Sequence, residues 1–290
     1  MPRLLKGKEP ADAMMKSIRR DVAALKARGI APALGIIRVG DRADDIAYEK
    51  SAAKRCEAAG VAIRLYRLPV DAAQAALLDV IHGVNADAGI HGVLLFRPLP
   101  RQFDDAATRA ALLPAKDIDG ITDGSLAGVF TNTMVGFPPC TAIACVELLD
   151  HYGIDIAGKR IVVLGRSLVI GRPVAMLLMH RNATITICHT KTIDLPSVVK
   201  EADIVVVAIG KQESIGHECF REAQVVIDVG IHVKDDGKLC GDVKFAEVAP
   251  LVEAITPSPG GVGALTSAVL IRHVLNAARR HVPASHLTSV

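Results

Sequence analysis

Short apolar runs rich in β-branched residues alternate along most of this chain with longer segments whose apolar residues recur at helical spacing. The runs cover residues 31–39, 61–68, 90–95, 161–164, 184–188, 204–209 and 225–229, each bounded by Gly, Pro or polar residues, and they read as strands. The segments between them, residues 11–28, 44–59, 71–84, 141–152, 172–180 and 195–201, read as helices. Strand and helix taking turns implies βαβ units and a mostly parallel sheet, an α/β fold. Two stretches break the rhythm. Residues 97–140 hold Pro98, Pro100, Pro114, Pro138 and Pro139 with Gly120, Gly124, Gly128 and Gly136 and read as irregular, which in a compact domain usually marks function. Residues 256–266 are also mostly irregular and precede a helical pattern over 267–280. A boundary near residues 141–157 then divides the chain into a domain of residues 1–147, to which 267–290 return, and a domain of residues 148–266.

Composition narrows the function classes. The chain has 290 residues, 50% hydrophobic and 22% charged, so disorder is excluded for most of it and two modest domains or one large one are expected. A chain of this size buries roughly 75% of its unfolded surface, which needs no metal or crosslink to stabilise a core. With 3% aromatics and no Trp, that core is built from Ala, Val, Leu and Ile, which suits buried parallel strands and does not suit a base-stacking platform. A net charge of +3 is too small and too spread out for a nucleic-acid footprint. The six cysteines form no C-x-x-C pair and the ten histidines no H-x-x-x-H pattern, so no metal and no disulfide framework is expected, and reduced thiols in a cytoplasmic setting are the default. Lys6, Lys8, Glu9 and Asp12 near the N-terminus argue against a signal peptide, and no apolar run reaches the ~18 residues of a membrane span.

One segment carries a recognisable chemistry. Residues 161–164 run into Gly165, Arg166, Ser167, Leu168, Val169, Ile170, Gly171, Arg172 and Pro173 and then a helical pattern, the strand, turn and helix that aim backbone N–H groups at a pyrophosphate. Gly165 and Gly171 are six apart with a Ser167 hydroxyl between them, so the G-x-G-x-x-G spacing is only half met, and close packing alone explains such a turn equally well. The next strand ends at Cys188, His189, Thr190, Lys191 and Thr192, where a protein specific for NAD places a carboxylate for the ribose hydroxyls. Thr190, Lys191 and Arg166 offer donors and positive charge instead, which favours a 2′-phosphate and NADP over NAD, against the plain alternative of a solvated surface. Asp228, Val229, Gly230 and Ile231 end a later strand at the edge where ligands collect in such sheets.

Val39-Gly40-Asp41 followed by Tyr48, Lys116-Asp117-Ile118-Asp119-Gly120, Pro139-Cys140-Thr141, the 165–173 turn, Asp228-Val229-Gly230-Ile231 and Pro259-Gly260-Gly261-Val262-Gly263 stand in that order along the chain. Through them the chain resembles, over nearly its whole length, the methylenetetrahydrofolate dehydrogenase/cyclohydrolase family. The resemblance implies an N-terminal α/β folate domain completed by the C-terminal helix, a Rossmann-like NADP domain, a cleft between them, a tetrahydrofolate derivative as substrate and a homodimer. It also implies two activities, oxidation of 5,10-methylenetetrahydrofolate with NADP and hydrolysis of the methenyl product to 10-formyltetrahydrofolate. Asp119 matches the acid that pairs with the pterin ring, and Tyr48 the residue that stacks on the folate; without the resemblance, Asp119 reads as a loop cap and Tyr48 as packing. The run from Pro259 to Gly263 would approach substrate and nicotinamide closely. Cys140 has no identifiable His partner and reads as structural.

The sequence departs from the family at informative places. Four residues after Tyr48 the family carries a lysine, and here stands Ala52; the family's glutamine partner to that lysine is Phe96. Lys50 and Lys54 are rotated about 200° around a helix from that position, and Arg97 would point to the other face of a strand. Ala142 and Ala264-Leu265 replace a proline and a proline-methionine pair. Hydride loss from the bridging carbon yields a nitrogen-stabilised cation and needs orientation, whereas hydrolysis needs positioned acid–base groups. The expectation is an NADP-dependent dehydrogenase with weak or absent cyclohydrolase activity. The alternatives are a bifunctional enzyme in which Lys50, Lys54 or Arg97 substitutes, a non-catalytic paralogue that binds folate or dinucleotide, and a dehydrogenase acting on another pterin.

Overall fold

A computed structural model describes residues 2–280 of the protein. The chain begins with β1 (Arg3–Leu4) and α1 (Lys8–Ala27), then runs through β2 (Ala33–Val39), α2 (Ala43–Ala59), β3 (Ala62–Leu68), α3 (Gln74–Ala86) and β4 (Gly92–Leu95) to α4 (Asp105–Ala111) and α5 (Asp123–Thr131). It continues with α6 (Cys140–His151), β5 (Arg160–Leu164), α7 (Gly171–Met179), β6 (Thr184–Cys188), α8 (Leu195–Lys200), β7 (Ile204–Val207) and β8 (Val225–Asp228). The antiparallel pair β9 (His232–Val233) and β10 (Leu239–Cys240), α9 (Phe245–Val248), β11 (Ala254–Ile255) and α10 (Val262–Arg280) complete it. The α/β class expected from the alternation is what forms. Among the described residues no helix is long and apolar enough to cross a membrane.

Two compact units divide the chain. The first holds residues 14–138 and the described part of 267–290; the second holds the described part of 1–13 and residues 139–266. In the first, β3, β2 and β4 form a parallel sheet in that order. Every residue of β2 is buried, and Ile37, Val39, Val93 and Leu95 pack with Leu77 and Ile81 of α3, as strands covered on both faces require. Helix α2 stops at Gly60, whose left-handed backbone (φ +78°) lets its amide reach the carbonyls of Cys56 and Glu57. Helix α10 returns to this unit, as expected, with buried His273 bonding the Ile118 carbonyl through Nδ1 at 2.9 Å. The part of 267–290 beyond Arg280 lies outside the described residues.

In the second unit a parallel sheet runs β1, β11, β8, β7, β5, β6, with Val162, Leu164, Val205, Val207 and Val226 in its core. Chain order reverses at β5, which is flanked by β6 on one side and β7 on the other. The same reversal occurs in the first unit at β2, flanked by β3 and β4. Open parallel sheets bind ligands beyond the strand C-termini at such reversals.

The structure differs from the sequence expectation in three places. The division falls at Pro138/Pro139 rather than within residues 141–157, and residues 1–13 join the second unit, because β1 pairs with β11 (Arg3 N to Glu253 O, 2.8 Å; Leu5 N to Ile255 O, 2.9 Å) and Tyr152 Oη donates to Lys6 O at 2.9 Å. Two-residue strands have no periodicity to detect. The stretch 97–140, read as irregular, contains α4 and α5, which start at side-chain caps: Asp104 accepts from the amides of Ala106 and Ala107, and Thr122 from that of Ser125. Helix α10 starts at Val262, inside the second stretch read as irregular.

Candidate functional site

The dinucleotide-side residues sit where β5 gives way to α7. Gly165 holds φ +113°, and a Cβ there would strike the Ala208 carbonyl at the end of β7; a Cβ on Gly171 would strike the Gly165 carbonyl. The turn is therefore sealed against side chains, and the backbone around the N-terminus of α7 is left to face a ligand. Ser167 Oγ accepts from Ile170 N at 3.1 Å and Gly171 N at 3.4 Å, which holds the turn and leaves the hydroxyl hydrogen to donate. Arg166, Ser167 and Arg172 are exposed. Gly165 N bonds Cys188 O at 2.9 Å, which brings the 188–192 segment beside the turn. There His189 N donates to Thr192 Oγ1 (2.9 Å) and Lys191 N to His189 Nδ1 (3.1 Å), which leaves Thr190 and Lys191 exposed on a tight turn without a carboxylate. These features fit a dinucleotide: a glycine cradle, a helix N-terminus for pyrophosphate, and cationic donors where a 2′-phosphate would lie.

Ile231, exposed, follows β8 and meets the glycine run: a Cβ on Gly263 would lie 2.8 Å from Ile231 Cδ1, and Ser258 Oγ donates to Gly230 O at 3.0 Å. Within the run, Pro259, Gly260 and Gly263 are exposed, while Gly261 and Val262 are buried, so the Val262 side chain is core rather than ligand surface. Two carboxylates that sequence reasoning did not single out for this role hold this corner together. Asp228 accepts from the amides of Gly230, Asp242 and Val243 at 3.0–3.1 Å, and burial pushes its carboxyl up to about 6. Fully buried Asp242 accepts from the amides of Ile209, Gly210 and Lys211 at 2.7–3.0 Å and contacts His232 Nε2 at 2.7 Å, which fixes the loop leaving β7.

The folate-side residues gather at the other reversal point, in the first unit. Phe96 follows β4 and donates its amide to Ile37 O of β2 at 3.0 Å. Its ring is 7% exposed and meets the ring of Tyr48, 42% exposed on α2, at 5.5 Å with a 56° tilt. Ala52, one turn after Tyr48, is 8% exposed. The three predicted positions Tyr48, Ala52 and Phe96 thus belong to one corner. Lys50 and Lys54 are exposed, and Arg97 donates to both oxygens of Asp105 at 2.7 and 2.6 Å, so its charge is already partnered. Half-buried Asp119 ends a segment that lies alongside β4 through the Val93–Asp117 bridge. Buried Asp117 accepts from Ile121 N, Thr122 N and Ser125 Oγ at 2.7–3.0 Å and anchors that segment. Cys140 is buried at the start of α6, consistent with a structural role.

Tyr48 is positioned by a network missed in the sequence. Glu49, buried beside it, pairs with buried Arg38 of β2 (2.9 Å) and with Arg67 of β3 (2.5 Å), while Arg38 also reaches Asp41 Oδ1 at 2.6 Å and the Gly40 carbonyl. Burial opposes ionisation of Glu49, but the hydrogen bonds from Arg67 and Arg38 outweigh it and hold its carboxyl below the usual range. A charge inside an otherwise apolar strand, Arg38 in β2, was the available signal. Elsewhere, exposed His217, Glu218 and Glu247 of the second unit have ligand atoms within 4.8 Å of one another, an arrangement common on surfaces without an ion.

Residues 5–119 match the tetrahydrofolate dehydrogenase/cyclohydrolase catalytic domain, and residues 139–282 its NAD(P)-binding domain. The chain is 47% identical over 279 residues to the bifunctional protein FolD of Carboxydothermus hydrogenoformans, covering 96% of this chain and 97% of that one, and 44% identical to that of Alkaliphilus oremlandii, covering 96% and 98%. Among solved structures, the bifunctional FolD enzyme of Campylobacter jejuni superposes with a TM-score of 0.95 at 35% identity, covering 97% of this chain and all of that one. The FolD of Trypanosoma brucei, complexed with NADP cofactor and inhibitor, superposes with a TM-score of 0.90 at 33% identity, covering 96% and 98%. Two family domains in order, backed by relatives matched end to end, make this chain a member of the tetrahydrofolate dehydrogenase/cyclohydrolase family.

Proposed function

We propose that this protein oxidises 5,10-methylenetetrahydrofolate to the methenyl form with NADP and hydrolyses that product weakly or not at all. The observation that carries the reading is the apolar corner of the first unit, where Phe96 packs on Tyr48 and Ala52, buried, follows Tyr48 by one turn of α2, while the glycine turn of the second unit is sealed against side chains. On the family's pattern those two positions are a lysine and a glutamine, the polar pair suited to moving protons. A methyl group and a phenyl ring can orient a folate and exclude water, but they can neither take a proton from an attacking water nor return one to a departing ring nitrogen.

NADP, when bound, supplies the hydride acceptor. The residues of this chain do the rest. The amides around Gly165–Gly171 and the hydroxyl of Ser167 would bind pyrophosphate, and Thr190, Lys191 and Arg166 the 2′-phosphate, which supports NADP over NAD. Tyr48 would stack on the folate, and Asp119 would accept from the amino group and neighbouring N–H of the pterin. Pro259 to Gly263, beside Ile231, would give the reacting rings close access to backbone. Relatives named bifunctional support the competing reading in which hydrolysis survives. Against it stand Arg97, committed to Asp105, and Lys50 and Lys54, on another face of α2. A homodimer is part of the reading on resemblance alone, and light scattering checks it.

The deciding assay incubates purified protein with 5,10-methylenetetrahydrofolate and NADP and follows reduced cofactor and methenyl absorbance together. Reduced cofactor should accumulate with methenyl that decays at its spontaneous rate. Enzyme-accelerated decay would establish the bifunctional reading instead, and an absence of reduced cofactor would leave binding without catalysis or a different pterin.

A further inference from the structure

The face of α2 that carries Tyr48 and Ala52 also carries a basic side chain, Arg55. At about 100° per residue, Arg55 falls within about 20° of Tyr48 and about 60° of Ala52, whereas Lys50 and Lys54 are turned at least about 120° from either. Arg55 is exposed, and its Nη1 donates to Ser267 Oγ on α10, so the side chain spans two helices of the same unit instead of trailing into solvent. Helical side chains lean toward the helix N-terminus, so the surface that Arg55 covers lies over the preceding turn, which is the turn of Ala52.

We infer that Arg55, seated by Ser267, is a substrate-binding residue that grips the carbonyl and carboxylate oxygens of the folate's benzoyl-glutamate arm; this rests on the folate reading of the site. A guanidinium presents a fork of donors that matches a carboxylate and keeps its charge at any working pH. It therefore supplies attraction and orientation without the proton transfer that the missing lysine would have allowed. The arm is the fitting partner for two reasons. A substrate whose bridging carbon becomes cationic repels a fixed positive charge, so Arg55 gains nothing beside the reacting centre. Seven residues along a helix also span about 10 Å, so a folate stacked on Tyr48 meets Arg55 at the distance of its arm, beyond its ring.

The test is equilibrium titration of the full-length protein with 5-formyltetrahydrofolate, a stable reduced folate, and with 6-methyltetrahydropterin, which lacks the arm. Arg55→Ala should weaken the folate about 10-fold, as loss of a charged hydrogen bond does, while Arg55→Lys recovers part of the loss. The pterin without the arm should bind wild type and Arg55→Ala alike, NADP affinity should be unchanged, and the variant should melt with wild type because the residue is exposed. Equal weakening of both pterins, or none of the folate, overturns the assignment to Arg55. A wild-type protein that binds no reduced folate overturns the folate reading itself, a result separate from any behaviour of the variant.

Discussion

The two units build their candidate sites from different material. In the second, backbone does the work: glycines pack against carbonyls, a helix starts where a strand ends, and Asp228 and Asp242 accept six amide hydrogens between them to hold the loops. In the first, individual side chains do it, with Tyr48, Phe96, Ala52 and Asp119 placed around the reversal at β2. A site made of backbone tolerates few substitutions, because a Cβ on Gly165, Gly171, Gly230 or Gly261 would strike neighbouring atoms. A site made of side chains can change its residues while the sheet beneath stays whole.

The sharpest way to break that contrast is Gly165→Ala. With φ +113° and the Ala208 carbonyl against the new methyl, NADP binding measured by titration should fall more than about 100-fold. A near-normal affinity would refute the claim that this site is sealed backbone. On the other side, Ala52→Lys with Phe96→Gln should raise methenyl hydrolysis by about 100-fold, the scale of acid–base catalysis, and should leave NADP affinity alone. No gain would mean that these two positions are misassigned.

The units should also answer acid in opposite directions. Burial pushes His273, bonded to the Ile118 carbonyl in the first unit, down to about 4 from 6.5, so the unfolded chain protonates first as pH falls. The stability this residue contributes is complete above pH 6.5 and is lost as pH falls toward 4, a change of about 3 kcal/mol. Asp228 in the second unit is raised from 3.8 to about 6, so its contribution is present below pH 3.8 and is lost as pH rises through 6. Urea unfolding at pH 7 and 4.5 of wild type, His273→Asn and Asp228→Asn checks both signs: the first variant should flatten the acid loss and the second should deepen it. The smallest effect expected is at Lys191→Ala, with KM for NADP up about 10-fold and KM for NAD unchanged, read in steady-state assays with each cofactor.

Much of this was legible in the sequence because it is local. Apolar alternation marks strands and helices, and the glycines of 165–173 mark a tight turn between strand and helix, since both follow from neighbours along the chain. The identities of Ala52 and Phe96 were equally readable against a family pattern. Other features were not. The helices α4 and α5 were hidden among prolines and glycines because their starts depend on single caps, Asp104 and Thr122. Residues 1–13 changed units because β1 pairs with a strand some 250 residues away, and no local pattern reports a two-residue pairing.

By itself, then, the sequence determined the α/β class, the parallel pairing, the glycine turn after β5 and the identities of Ala52 and Phe96, because these depend on residue type and near-neighbour spacing. Tertiary structure alone decided what those residues touch. It set Phe96 against Tyr48, committed Arg97 to Asp105, fastened α2 through Glu49 to Arg38 and Arg67, and brought Arg55 to Ser267 across 212 residues of chain. Such pairings form between groups that only the packing of sheet and helices brings within bonding distance.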